Sequence, residues 1–140
     1  MTTHEPLEIG DIIIGEYEIL DILGGEGKSG MGVVYLVRSR HYPIPTVLKT
    51  FQKAELTSIA RFRTEAETWV SVGIHPNIVQ AFYVIDVNEQ LVIGAEFIAP
   101  DYYNRNTISD YLKQGGISIH HVIKWSAQFC YGMRYALERA

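Results

Sequence analysis

Gly24-Gly25-Glu26-Gly27-Lys28-Ser29-Gly30-Met31-Gly32-Val33-Val34-Tyr35 sets a glycine-dense run directly before a β-branched, aromatic one. Glycine supplies backbone conformations that other residues resist, so the run reads as a loop. Val33 to Val37 then suits a half-buried strand, and Tyr17-Glu18-Ile19-Leu20 before the loop suits another. His41-Tyr42-Pro43-Ile44-Pro45 punctuates the chain as a turn, because proline removes ladder donors. Thr46-Val47-Leu48-Lys49-Thr50-Phe51 is the next strand, with a lysine bracketed by apolar residues.

Further out, Ile59, Phe62, Ala66, Trp69 and Val70 recur at helical spacing and predict a helix over 58–72. Glu65 lies beside that apolar face. By itself it reads as a solvated acid, with Arg61, Arg63 and Glu67 nearby. Gly73 ends the helix and His75-Pro76-Asn77 makes a turn. Residues 78–87 and 90–97 predict a hairpin around Asn88-Glu89. A short helix over 108–113 stops at Gly115-Gly116, and Ser118 is placed to cap a last helix. The apolar side of that helix includes Val122, Trp125, Phe129, Met133 and Leu137.

Composition narrows the functional classes. The chain has 140 residues, a formal charge of −4 and 47% hydrophobic residues, which suits one domain with a sizeable core. No basic surplus advertises a nucleic-acid surface. Cys130 is a lone cysteine, so an intrachain disulfide is impossible, and its apolar helical setting reads as structural. His4, His41, His75, His120 and His121 lack zincin-type spacing, so no metal ligands are assigned. The polar, acidic start is no secretory signal, and the apolar stretches are too short to span a bilayer, which makes the cytoplasm the default compartment.

Glycines that let backbone close over phosphates, a lysine to reach them and a carboxylate to hold the lysine make one nucleotide-binding device. Lys49 is flanked by Val47, Leu48 and Phe51, so its stem would be buried and its charge would require a partner, which Glu65 can provide. Gly27-Lys28-Ser29 mimics the end of a P-loop, but residue 22 is isoleucine where glycine is needed and a strand follows, so that motif is rejected.

In this order the elements resemble the protein-kinase small lobe, in the style of bacterial serine/threonine kinases of the eukaryotic type. Gly-Met-Gly-Val-Val-Tyr at 30–35, Arg61-Phe62-Arg63-Thr64-Glu65-Ala66 and His75-Pro76-Asn77-Ile78-Val79 carry the likeness, which covers residues 11–140. It implies an α+β fold: a five-stranded antiparallel sheet with the helix the family calls αC, then two helices of an incomplete large lobe. The implied division is a flexible lead-in over 1–10, small lobe and hinge over 11–99, and a partial large lobe over 100–140.

The pattern G-x-G-x-x-G-x-V fits with Gly27 first, Ser29 second, Gly32 third and Val34 as the valine. Positive φ at a non-glycine costs about 1–2 kcal/mol. Gly24, Gly25 and Gly30 offer a longer or shifted loop, so the phosphate register stays open. The resemblance implies that Lys49 contacts the ATP phosphates, Glu65 holds Lys49, and Val34 and Val47 roof the adenine. Ala95 takes the gatekeeper position, and Glu96 and Ile98 supply hinge backbone bonds; plain strand packing is the alternative for these residues. ATP and a protein substrate are the implied partners, with Mg2+ ligands outside this chain. His-Arg-Asp and Asp-Phe-Gly strings, which carry the catalytic and metal-binding aspartates, are absent from the 140 residues. The chain alone is therefore expected to be a truncated, inactive kinase domain. A non-catalytic kinase-like module that binds nucleotide or a partner is the alternative. Asp101 and Asp110 read as turn and helix-start residues.

Overall fold

The computed structural model describes residues 7–24, 32–51, 56–87 and 90–139. Its centre is a six-stranded antiparallel sheet ordered β1-β2-β3-β4-β6-β5. The strands are β1 (Ile12–Ile13), β2 (Tyr17–Gly24), β3 (Val33–Ser39), β4 (Thr46–Thr50), β5 (Ala81–Val87) and β6 (Gln90–Glu96). Helix α1 (Leu56–Val72) connects β4 to β5, and α2 (Ile108–Lys113) and α3 (Ile119–Leu137) follow the sheet. The sixth strand, beyond the five expected, is the short edge β1, which pairs Ile12 with Glu18 and Ile13 with Tyr17.

Strand side chains alternate between faces, so this sheet builds two cores. Ile19, Val33, Tyr35, Val37, Leu48 and Val92 form one of them. Leu7, Ile13 and Ile14 pack against it, so the lead-in covers this face from Leu7 onward. Gly10 N–H donates to the Ile19 carbonyl at 2.8 Å, and Glu8 N–H to Asp11 Oδ2 at 2.8 Å. On the same face Tyr83 Oη and Tyr17 Oη meet at 3.1 Å, joining β5 to β2. Burial, then the Tyr83 hydrogen bond, pushes the Tyr17 phenol well above its ordinary value.

The second core lies on the opposite face. Phe62 and Ala66 of α1 pack with Ala81, Leu91 and Ile93, supported by Phe51, Trp69, Val70 and Val84. The Phe51 and Phe62 rings stand 4.0 Å apart. Trp69 Nε1 donates to the Val79 carbonyl at 2.7 Å, closing the turn that returns the chain to β5. The periodic residues of the helix thus do what their spacing requires.

Helix α2 starts in a capping box: Thr107 Oγ1 accepts from Asp110 N–H while the Asp110 carboxylate accepts from Thr107 N–H. Ser118 caps α3, accepting from His121 N–H at 3.3 Å. One side of α3 rests on the turn after α1. A Cβ on Gly132 would lie 3.0 Å from the Asn77 carbonyl oxygen, so glycine permits the close approach. The His75 and Tyr135 rings meet 4.6 Å apart.

Candidate nucleotide-binding site

Residues directly opposite in an antiparallel ladder present their side chains on one face. Lys49 is opposite Val34 on β3 and Ile93 on β6, and Val47 is opposite Leu36 and Ala95. These side chains therefore share a face. Ile93 identifies it as the face that carries α1. Helix α1 covers the β5–β6 side of this face, while Val34, Val47 and Lys49 remain half-buried. Ala95 is 4% exposed. The arrangement is an apolar shelf with one ammonium standing on it.

At the entry to β3 the chain requires glycine. Gly32 has φ +128°, and a Cβ there would run into the Thr50 carbonyl oxygen on β4. The close approach lets Thr50 Oγ1 donate to the Val33 carbonyl at 3.3 Å. Gly27, Ser29 and Gly30 lie outside the described residues.

A family model described as "Protein tyrosine and serine/threonine kinase" matches residues 21–140. The chain belongs to the protein kinase family. Solved kinase domains share its fold. The PknI kinase domain of Mycobacterium tuberculosis matches with 22% identity and TM-score 0.75 over 96% of this chain and 52% of that one. The PF14_0431 kinase domain matches with 12% identity and TM-score 0.79 over 96% of this chain and 39% of that one. The chain thus spans about half or less of the length of these kinase domains.

In this kinase chain, Lys49 and Glu65 share a side of the sheet but make no ion pair. Glu65 Oε1 instead accepts from Arg61 Nε at 3.3 Å, one helical turn earlier. Both side chains are exposed. Other faces of α1 dock it on the sheet. Its apolar residues sit over β5 and β6, and Arg63 Nη2 bonds both oxygens of Asp86 on β5 at 2.8 and 2.6 Å. The helix thus rests on β5 and on β6, the strand that pairs with β4. Arg61, the residue that competes for Glu65, was visible in the sequence only as an i,i+4 neighbour.

The strand leaves the sheet at Glu96. Glu96 N–H donates to the Gln80 carbonyl at 2.8 Å, and its carboxylate accepts from Gln80 N–H at 3.2 Å. Both bonds hold the start of β5 with groups other than the Glu96 carbonyl. Ile98 is exposed, and its carbonyl accepts from Asn106 Nδ2 at 3.3 Å. Asp101 and Asp110 behave as turn and helix-start residues. The Arg105 guanidinium, followed by the Arg105 and Tyr103 amides, holds the Asp101 carboxyl down at about 2. Hydrogen bonds from Thr107, then the Asn106 and Thr107 amides, lower Asp110.

Sequence reasoning passed over Asn106. Its only signal was the Thr107-to-Asp110 spacing of a helix start. Among the described residues no group of three or more His, Cys, Asp or Glu side chains could hold a metal ion. Likewise, among them no helix is long and apolar enough to cross a membrane.

Proposed function

We propose that this chain is the ATP-binding part of a serine/threonine protein kinase, which in the complete domain transfers the ATP γ-phosphate to protein hydroxyls. One observation carries the reading: Val34, Val47, Lys49 and Ala95 are adjacent in register on the face that α1 shares. An adenine ring requires an apolar shelf with polar backbone at one edge, and a triphosphate requires a cation at the other. Val34 and Val47 provide the shelf, and the small Ala95 leaves room behind it. The Glu96 carbonyl and Ile98 N–H provide the edge, and Lys49 the cation. The loop through Gly27, Ser29, Gly30 and Gly32 covers the phosphates. ATP supplies the transferable phosphoryl group, and Mg2+ is held by residues of the complete domain outside this chain. Glu65 turns from Arg61 to Lys49 when nucleotide is bound, extending the ammonium toward the phosphates.

Transfer itself requires an aspartate to orient the acceptor hydroxyl and another to hold the metal. The 140 residues contain no His-Arg-Asp or Asp-Phe-Gly string. This polypeptide by itself therefore binds without transferring, in the cytoplasm, and the complete kinase takes a protein substrate. The resting Arg61–Glu65 pair favours a second reading, a kinase-like module that binds a nucleotide or partner without catalysis.

A thermal melt with Mg·ATP tests the binding reading. Ligand at a hundred times its dissociation constant stabilises a binder by about 2.7 kcal/mol. An unchanged melt at millimolar Mg·ATP would count against nucleotide binding. Transfer of labelled γ-phosphate that Lys49→Met abolishes would overturn the inactivity of the isolated chain.

A further inference from the structure

Beyond the hinge the chain is pinned at two points. Asp101 Oδ1 accepts from Arg105 N–H at 2.9 Å, and Arg105 Nη2 reaches Asp101 Oδ2 at 2.8 Å. The Arg105 guanidinium lies 4.0 Å over the Tyr111 ring of α2, and Tyr111 Oη also bonds Asp101 Oδ2 at 3.2 Å. On the other side, Asp110 Oδ2 accepts from Asn106 N–H at 3.2 Å, Thr107 N–H at 2.9 Å and Thr107 Oγ1 at 2.6 Å. Asn106 stands between these fixed points, and its side-chain amide reaches back to the Ile98 carbonyl.

We infer that Asn106 is a positioning residue for adenine recognition, acting through the backbone of Ile98. The inference rests on the nucleotide-binding reading above. The peptide linking Ile98 to Ala99 is planar, so a donor on the Ile98 oxygen fixes that plane and limits rotation about the Ile98 Cα–C bond. Ile98, whose N–H would meet the adenine edge from the preceding peptide, is thereby tethered through its own carbonyl and has fewer conformations to lose when the ligand arrives. Binding groups ordered in advance lose less freedom on association. The same bond turns the Ile98 carbonyl toward α2, so that the hinge presents a donor rather than a competing acceptor. The capping box of α2 thereby acts at the hinge as well as at the helix start.

Calorimetric titration of the 140-residue chain with Mg·ATP, adenosine and tripolyphosphate tests this. Asn106→Leu keeps the bulk without the donor, and Asn106→Ala removes both. Loss of one neutral hydrogen bond should weaken ATP and adenosine by about three- to tenfold. Tripolyphosphate affinity should stay at the wild-type value. Equal weakening of all three ligands, or unchanged ATP affinity, would overturn the inference. A wild-type chain that binds none of the three would remove the nucleotide reading itself. A ligand-free readout stands apart from that result: the Ile98 carbonyl carbon-13 shift, which responds to a donor on its oxygen, should move in Asn106→Leu, and an unchanged shift would refute the anchor.

Discussion

Arg61 Nε donates to Glu65 Oε1 at 3.3 Å, which engages the carboxylate of α1 within its own helix rather than with Lys49. The two partners are 83% and 66% exposed, so solvent screens the pair. Such i,i+4 pairs contribute about 0.3–0.5 kcal/mol, too little to hold Glu65 against a bound nucleotide. The contact describes a resting arrangement that a ligand-organised Lys49 can displace.

Arg61→Ala should therefore change unfolding free energy by no more than about 0.5 kcal/mol. Removing the competitor should tighten Mg·ATP binding by up to about twofold, since one such pair is released. Denaturant melts and calorimetry check both numbers. Weaker ATP binding in this variant would mean that Arg61 contacts the ligand or supports the site directly.

Gly94→Ala tests the packing behind the site. A Cβ at Gly94 would run into the ring of Tyr83, which the Tyr17 hydroxyl holds at 3.1 Å. Overpacking of this kind costs about 1–3 kcal/mol. In a Tyr83→Ala background the same substitution should lose most of its effect, because the obstructing ring is gone. Equal costs in both backgrounds would place the strain elsewhere.

The face bearing Lys49 was legible in the sequence because strand alternation is rigid. Once Val33, Tyr35 and Val37 turn to one core, Val34 must turn to the other. Helix α1 was legible in its spacing, and so were the cap at Ser118 and the helix-start place of Asp110. Three features escaped. The strand-like Ile12-Ile13 was legible as β1, but Leu7 covers a face whose existence depends on long-range pairing. The partner of Glu65 is Arg61, an i,i+4 choice that helical spacing permits but does not impose. Asn106 reaches the hinge only because Asp101 and Arg105 fold the intervening loop.

Acid should loosen that loop. The Arg105 hydrogen bond, the largest cause, lowers Asp101 from 3.8 to about 2. A folded value below the unfolded one adds stability above pH 4 that is lost as pH falls toward 2. Asp110 shifts in the same direction, so both contribute. Stability should fall from pH 4 to pH 2, and Asp101→Asn should show a shallower fall than wild type. Parallel pH profiles for the two proteins would contradict the assignment.

The outer side of α3 is open. Ile123, Phe129 and Leu137 are 65%, 67% and 72% exposed, with Val122 and Met133 beside them. A contiguous apolar helix face in water favours self-association. Light scattering of the isolated chain should show concentration-dependent oligomers, and Phe129→Asp with Met133→Glu should reduce them. A monodisperse wild-type monomer at high concentration would contradict this expectation.

Reaction of the chain with an acyl phosphate of ATP tests the central claim most directly, since the reagent acylates the lysine beside the bound phosphates. Mapping by mass spectrometry should find modification at Lys49, suppressed by excess Mg·ATP. Labelling that ATP protects at Lys113 or Lys124 instead, with Lys49 unmodified, would contradict the account.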